Sequence, residues 1–258
     1  MLLDGFAYSN RLRNIHPGEK MAFSLITMVI GFFPSIYSCG LIILIIAAAV
    51  ILIGKVPVKT YLRLMLLPVF FLVASLLPIL INTGVNPDST LIYFIFFKST
   101  IGITYNSLIK SGLLFMRSMA LVSCLYFISL TTPILDIIAV MKKLKLPDIL
   151  IDLMFLVYRQ LFVMMDTAES IYVAQNARLG YATFSSGINS LGRLVSYLII
   201  KSCSDAQRLY TALVSRGYEG ELKVLEPSYN TSIKNIILIA AIDTVLLIIA
   251  LKTGGTIK

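Results

Sequence analysis

Two short motifs in the last third of this chain carry residue types that could do chemistry on a partner. They are Asn176-Ala177-Arg178-Leu179-Gly180 and Val214-Ser215-Arg216-Gly217-Tyr218. Each sets one arginine among small residues near the end of a helix-like segment. Ala, Ser and Gly neighbours leave the guanidinium uncovered, so it can enter an acidic cleft and bind a carboxylate through two parallel hydrogen bonds. Small side chains also let the helix backbone approach its partner closely. Two such ends on one chain suit a partner that offers the same groove twice. The blander reading is that Arg178 and Arg216 are ordinary positive charges favoured at helix C-termini, and spacing alone does not separate the two.

The elements that must position these motifs are set by composition. The chain has 258 residues, of which 58% are hydrophobic and only 14% charged. Soluble domains are about a quarter charged, so this is expected to be an all-α integral membrane protein. Its net charge of +9 points to basic loops kept on the cytoplasmic side rather than to nucleic acid. Membrane lipid is therefore an expected contact. The first residues lack an apolar signal-peptide core, so the first span is expected to double as the insertion signal. Cys39, Cys124 and Cys203 are scattered in apolar contexts and read as buried packing residues.

A helix needs about 20 apolar residues to cross a bilayer. The apolar runs are Pro17 to Phe33, Ile36 to Gly54, Leu64 to Ile81, Leu108 to Leu130 and Ile233 to Leu251. They predict about five spans, a cytoplasmic N-terminus and an external C-terminus. Pro68 and Pro78 are expected to bend the third, with neighbouring helices satisfying the freed carbonyls. Asn82 to Asp88 reads as an outer turn. Leu91 to Phe97, too short to cross, reads as an interfacial or partly re-entrant piece with Lys98 reaching water. Arg117 would cost about 2.5–3.5 kcal/mol facing lipid at the bilayer centre, so it is expected to face protein or sit near the interface.

From Thr131-Thr132-Pro133 to about Lys234 charges recur among apolar residues, the pattern of amphipathic helices. Ile134 to Lys145 ends on Lys142, Lys143 and Lys145. The helix from Pro147 carries Asp152, Arg159 and Asp166 seven apart, one polar stripe expected to stay wet. The helix from Ile188 to about Ser215 carries Lys201, Asp205 and Arg208 on one charged face. Gly217 suits the left-handed cap that ends it. The expected organisation is an N-terminal membrane region of about four spans (1–132), long cytoplasmic or interfacial helices (133–227) and a final span (228–258).

The stretch from Leu130 to Gly220 resembles the transmembrane (T) component of energy-coupling factor transporters, the EcfT/CbiQ family. The resemblance rests on Leu130-Thr131-Thr132-Pro133, Lys142-Lys143-Leu144, Leu146-Pro147, Tyr158-Arg159, Asn176-Ala177-Arg178 and Ser215-Arg216-Gly217-Tyr218-Glu219-Gly220. Asp4, Tyr8, Asn10 to Arg13 and His16 to Lys20 are similar to the opening of the cobalt branch, CbiQ. The family carries two Ala-Arg-Gly-like signatures at the ends of cytoplasmic coupling helices. Here the first reads Ala-Arg-Leu with Gly180 one place late, and the second reads Ser-Arg-Gly.

Membership would imply a non-catalytic scaffold in the cell membrane, with no cofactor of its own. It would join two ATP-binding cassette ATPases (CbiO/EcfA-like), which carry ATP and Mg, to a membrane substrate-capture subunit (CbiM-like, with a CbiN-like small subunit as a further candidate). Ala177, Arg178, Gly180, Ser215, Arg216 and Gly217 would be the ATPase-docking residues. The implied cargo is cobalt, with nickel or a vitamin as alternatives. His16, the single histidine, reads as a helix-start residue rather than a ligand. No other cluster has metal-ligand spacing. No Gly-x-x-x-x-Gly-Lys-Ser/Thr loop or His-Glu-x-x-His pair occurs. The rival of a different class is a stand-alone carrier or channel with Arg117, Arg159 and Asp243 along a polar path.

Overall fold

The computed structural model describes residues 2–33, 35–80, 82–83, 90–96, 99–218 and 233–254. Helices account for nearly all of it. They are α1 (Leu2–Ser9), α2 (Pro17–Ile30), α3 (Ile36–Ala48), α4 (Val58–Leu80), α5 (Tyr105–Thr131), α6 (Ile134–Lys143), α7 (Asp148–Ala177), α8 (Phe184–Ser215) and α9 (Ile233–Gly254). A 3₁₀ turn (Arg11–Asn14) joins α1 to α2, and α3 runs on into a π-helical turn (Ala49–Ile53). The chain forms two compact units, residues 1–137 with 228–258, and residues 138–227.

Among the described residues four helices are long and apolar enough to cross a membrane: Ile36–Ile53, Val58–Leu80, Tyr105–Thr131 and Ile233–Thr253. The chain is an all-α, multi-pass membrane protein. The expected first span differs. Its helix, α2, has 14 residues, about 21 Å against a hydrocarbon core of about 30 Å. His16 caps that helix, its Nδ1 accepting from the Gly18 N–H at 3.0 Å, the helix-start role that Pro17 beside it predicts.

In the first unit α5 is the central helix. Its inward face, Ala120, Cys124, Phe127 and Leu130, meets Phe23 and Ile30 of α2, Ile42 and Ile46 of α3, and Leu246 and Ala250 of α9 in one buried apolar cluster. Phe23 and Phe127 pack edge to face at 5.5 Å between ring centres. Small hydroxyl residues let these helices close up while bonding to backbone: Ser24 Oγ donates to the Cys124 carbonyl at 2.8 Å. Arg117 faces protein, donating to the Phe32 carbonyl with its guanidinium 5.1 Å from that ring's centre. Asp243 is buried on α9.

Both Pro68 and Pro78 lie inside the continuous α4. Proline at 68 removes the N–H that would bond the Leu64 carbonyl. Tyr126 of α5 supplies the replacement, its hydroxyl donating to Leu64 O at 3.2 Å. By contrast the α4 surface away from α5 is apolar and bare, with Leu66, Phe70 and Phe71 about 70% exposed, as a face turned to lipid requires.

One element was not foreseen and one expectation needs correction. The segment after α4 is a small antiparallel sheet, β1 (Asn82–Thr83), β2 (Thr90–Phe96) and β3 (Ser99–Thr104), in the order β1-β3-β2. The apolar piece read as interfacial or partly re-entrant forms a strand, paired with a β3 that sequence patterning missed. Gly84 to Asp88 and Lys98 lie outside the described residues. Among the cysteines, Cys39 and Cys124 are buried, but Cys203 is exposed; it lies on α8, none of whose residues is fully buried.

Candidate functional site

In the second unit α7 and α8 form an antiparallel pair. Three contacts mark its length. Near the connection, Gln175 Nε2 donates to the Ser190 carbonyl at 3.1 Å. Midway, Gln160 Nε2 donates to Asp205 Oδ2 at 3.4 Å, the oxygen that also pairs with Lys201 Nζ at 3.2 Å. At the far end, Tyr218 donates its hydroxyl to Asp152 Oδ2 at 3.2 Å. Arg178 follows α7 at one end of the pair and Arg216 follows α8 at the other. The 32 residues of α8 hold them about 48 Å apart at 1.5 Å per residue. The fold thus keeps the two motifs well separated.

The two ends are built alike. Arg178 and Arg216 are each the C-cap residue of their helix. The next residue turns left-handed in both, Leu179 at φ 60° and Gly217 at φ 76°. After α7, Leu179 N–H bonds the Asn176 carbonyl at 3.0 Å and Gly180 N–H reaches back to Gln175 at 2.9 Å. After α8, Gly217 N–H bonds the Val214 carbonyl at 3.0 Å and Tyr218 N–H reaches back to Leu213 at 3.1 Å. Both are Schellman closures, which satisfy carbonyls that a helix end leaves open. Arg178 and Arg216, with Ala177 and Ser215 before them, are exposed.

The late glycine of the first motif has a different job from Gly217. A Cβ at Gly180 would lie 2.8 Å from the Gln175 carbonyl oxygen and 2.8 Å from Ser190 Oγ. The site is crowded because its carbonyl accepts from Ser186 Oγ and Ser190 Oγ, both at 2.9 Å. Tyr181 completes the support by donating to Gln175 Oε1 at 2.7 Å. Gly217 has open space around it, and there the positive φ is what calls for glycine.

Leading to the second motif, Ser204, Gln207, Arg208, Thr211, Ala212 and Ser215 line an open hollow of about 450 Å³ on α8. Arg208 therefore belongs to this surface, while Lys201 and Asp205 pair with each other. The stripe of three charges on α7 is split: Asp152 is buried, Arg159 and Asp166 are exposed. Its seven-residue period is real, but Asp152 is turned inward to receive Tyr218. That phenol is pushed above its ordinary pKa by desolvation first and then by the Asp152 carboxylate, so it stays a donor at neutral pH. Sequence reading missed Gln175, Ser190 and this role of Asp152. The signal available was that Gln175 and Tyr218 directly flank the motifs.

Among the described residues no three His, Cys, Asp or Glu side chains converge as a metal site would need. A family model described as CbiQ, cobalt transport protein, matches residues 8–226. An uncharacterized protein of Methanocaldococcus jannaschii is 34% identical over 254 residues, spanning 98% of this chain and 93% of that protein. A putative fused cobalt transport protein CbiMQ of Methanocorpusculum labreanum is 31% identical over 85% of this chain but only 37% of its own length. The cobalt transport protein CbiQ of Rhodobacter capsulatus is 29% identical over 86% of each chain.

Proposed function

The chain belongs to the CbiQ cobalt transport protein family, and we propose that it is the membrane scaffold of an ATP-driven cobalt importer. In this reading two cytoplasmic ATP-binding cassette ATPases each receive one end of the α7–α8 pair, and a membrane capture subunit selects the ion. The observation that carries it is the matched pair of helix ends: one backbone closure, used twice, each presenting an exposed arginine. A chain serving one site needs one such end. Two equal ends about 48 Å apart fit a partner made of two like subunits, each binding an arginine in an acidic groove.

The relative whose name joins CbiM to CbiQ supports a CbiM-like membrane partner for this chain. ATP and Mg would be handled by the ATPases, and closing of their dimer would drive the two ends. Residues for cargo capture would lie on the partner, and this chain would act without catalysing a reaction.

Charge reversal tests the docking. Arg216→Glu, and less severely Arg178→Glu, should lower the ATPase recovered with the affinity-tagged chain, and the double variant should abolish it. Undiminished recovery in the double variant would refute this role for the arginines. Cobalt uptake by the purified chain alone, in vesicles without ATPases, would favour the stand-alone carrier.

A further inference from the structure

Lys20 is 3% exposed in the first turn of α2, an unusual place for a cation in so apolar a protein. Its Nζ donates to the Thr131 carbonyl at 3.0 Å and to the Leu12 carbonyl at 3.1 Å. Beside it, Asn10 Nδ2 donates to the Leu130 carbonyl at 3.2 Å. Leu130 and Thr131 are the last two residues of α5, whose final carbonyls have no partner within the helix. A segment over a hundred residues away in sequence therefore caps α5. Burial pulls the Lys20 pKa down to about 8, and the Asp136 carboxylate, in the first turn of α6, opposes that shift and favours the ammonium.

Only Thr132 and Pro133 separate α5 from α6, and both are buried. One cation thus serves the negative end of α5 and an acidic residue at the positive end of α6, each a favourable pairing with a helix dipole. The break between the helices would otherwise be the natural hinge of this stretch. We propose that Lys20 is a positioning residue that makes the α5–α6 break a stiff elbow. Force arriving along α6 is then passed to α5 and its bundle instead of being absorbed at Thr132-Pro133. This rests on the scaffold reading above, in which ATPases drive the helices that follow α6.

The test uses the full complex, the chain co-expressed with CbiO-like ATPases and a CbiM-like capture subunit and reconstituted in vesicles. Lys20→Met should leave ATPase recovery and ATP hydrolysis near wild type. Uptake of radioactive Co²⁺ per ATP should drop at least about tenfold, since both charge-assisted hydrogen bonds of the ammonium are lost. Lys20→Arg, which keeps charge and donors, should restore most of it. Asp136→Asn should give a smaller loss of the same kind, and it decides the matter should Lys20→Met fail to accumulate in the membrane. Unchanged uptake per ATP in Lys20→Met, or in Asp136→Asn, would overturn the proposal. So would equal loss of assembly and uptake without rescue by arginine, since Lys20 would then only hold the fold. Failure of the wild-type chain to recruit any ATPase is a separate result: it ends the scaffold reading, and the elbow with it.

Discussion

Lys20 and Thr131, 111 residues apart, are joined by a 3.0 Å hydrogen bond from ammonium to carbonyl. The N-terminal block and the Leu130-to-Pro133 segment both belong to the family resemblance and stand at opposite ends of the membrane region in sequence. In the folded chain they are one structure. Asn10 is its second link, donating to Leu130 O while its Oδ1 accepts from Leu12 N–H at 2.9 Å. Asn10→Ala should strand the buried Leu130 carbonyl and destabilise the protein by about 1–3 kcal/mol. Thermal melting of the detergent-purified chain, followed by size-exclusion fluorescence, checks this; a melting temperature equal to wild type would count against the link.

The two helix ends should respond differently to glycine changes. Gly217→Ala puts a Cβ at φ 76° and should cost about 1–2 kcal/mol. Leu179→Gly removes the same strain at φ 60°, about 1–2 kcal/mol, against about 0.5–1 kcal/mol of added chain entropy. It should be neutral to slightly stabilising. Gly180→Ala meets backbone and a bonded hydroxyl and should be the most damaging of the three. The order of melting temperatures, Leu179→Gly highest and Gly180→Ala lowest, is the expected readout.

Much of this was readable in residue order, and the limits are instructive. Apolar run length located α3, α4, α5 and α9 because membrane thickness imposes a length. Arg216-Gly217 marked a helix end because glycine is the ordinary left-handed residue. The first end was legible but its cap geometry was not, since a leucine at positive φ is held there by the Gln175, Ser186 and Ser190 bonds, which no local pattern encodes. Period seven put Asp152 on a stripe with Arg159 and Asp166, but periodicity does not say which part of a stripe a distant tyrosine covers. Strand β3 carries Gly102 between short apolar residues and has no alternation long enough to announce itself. Cys203 was misjudged because an apolar neighbourhood on an amphipathic helix does not mean burial.

Tyr218 ties the end of α8 to the start of α7, so Tyr218→Phe isolates that tie from ring packing. The Asp152 carboxylate loses a donor while the ring itself is kept, a change of about 1–3 kcal/mol in local stability. Hydrogen exchange should quicken at residues 213–218 and stay unchanged near Gly180, at the other end of the pair. Uniform protection across both ends would show that the bond does not hold this terminus.

The Tyr126 hydroxyl stands where proline removed a donor, and that predicts a specific non-additivity. Tyr126→Phe alone should orphan the Leu64 carbonyl and cost about 1–3 kcal/mol. Pro68→Ala restores an N–H that can bond that carbonyl within α4, the ordinary helical arrangement. In the Pro68→Ala background, Tyr126→Phe should therefore lose much less. The coupling expected from the double-mutant cycle is about 0.5–3 kcal/mol, the range for residues sharing one network. Strict additivity of the two changes in melting experiments would mean that Leu64 O finds another donor and that Tyr126 is not what lets α4 carry Pro68.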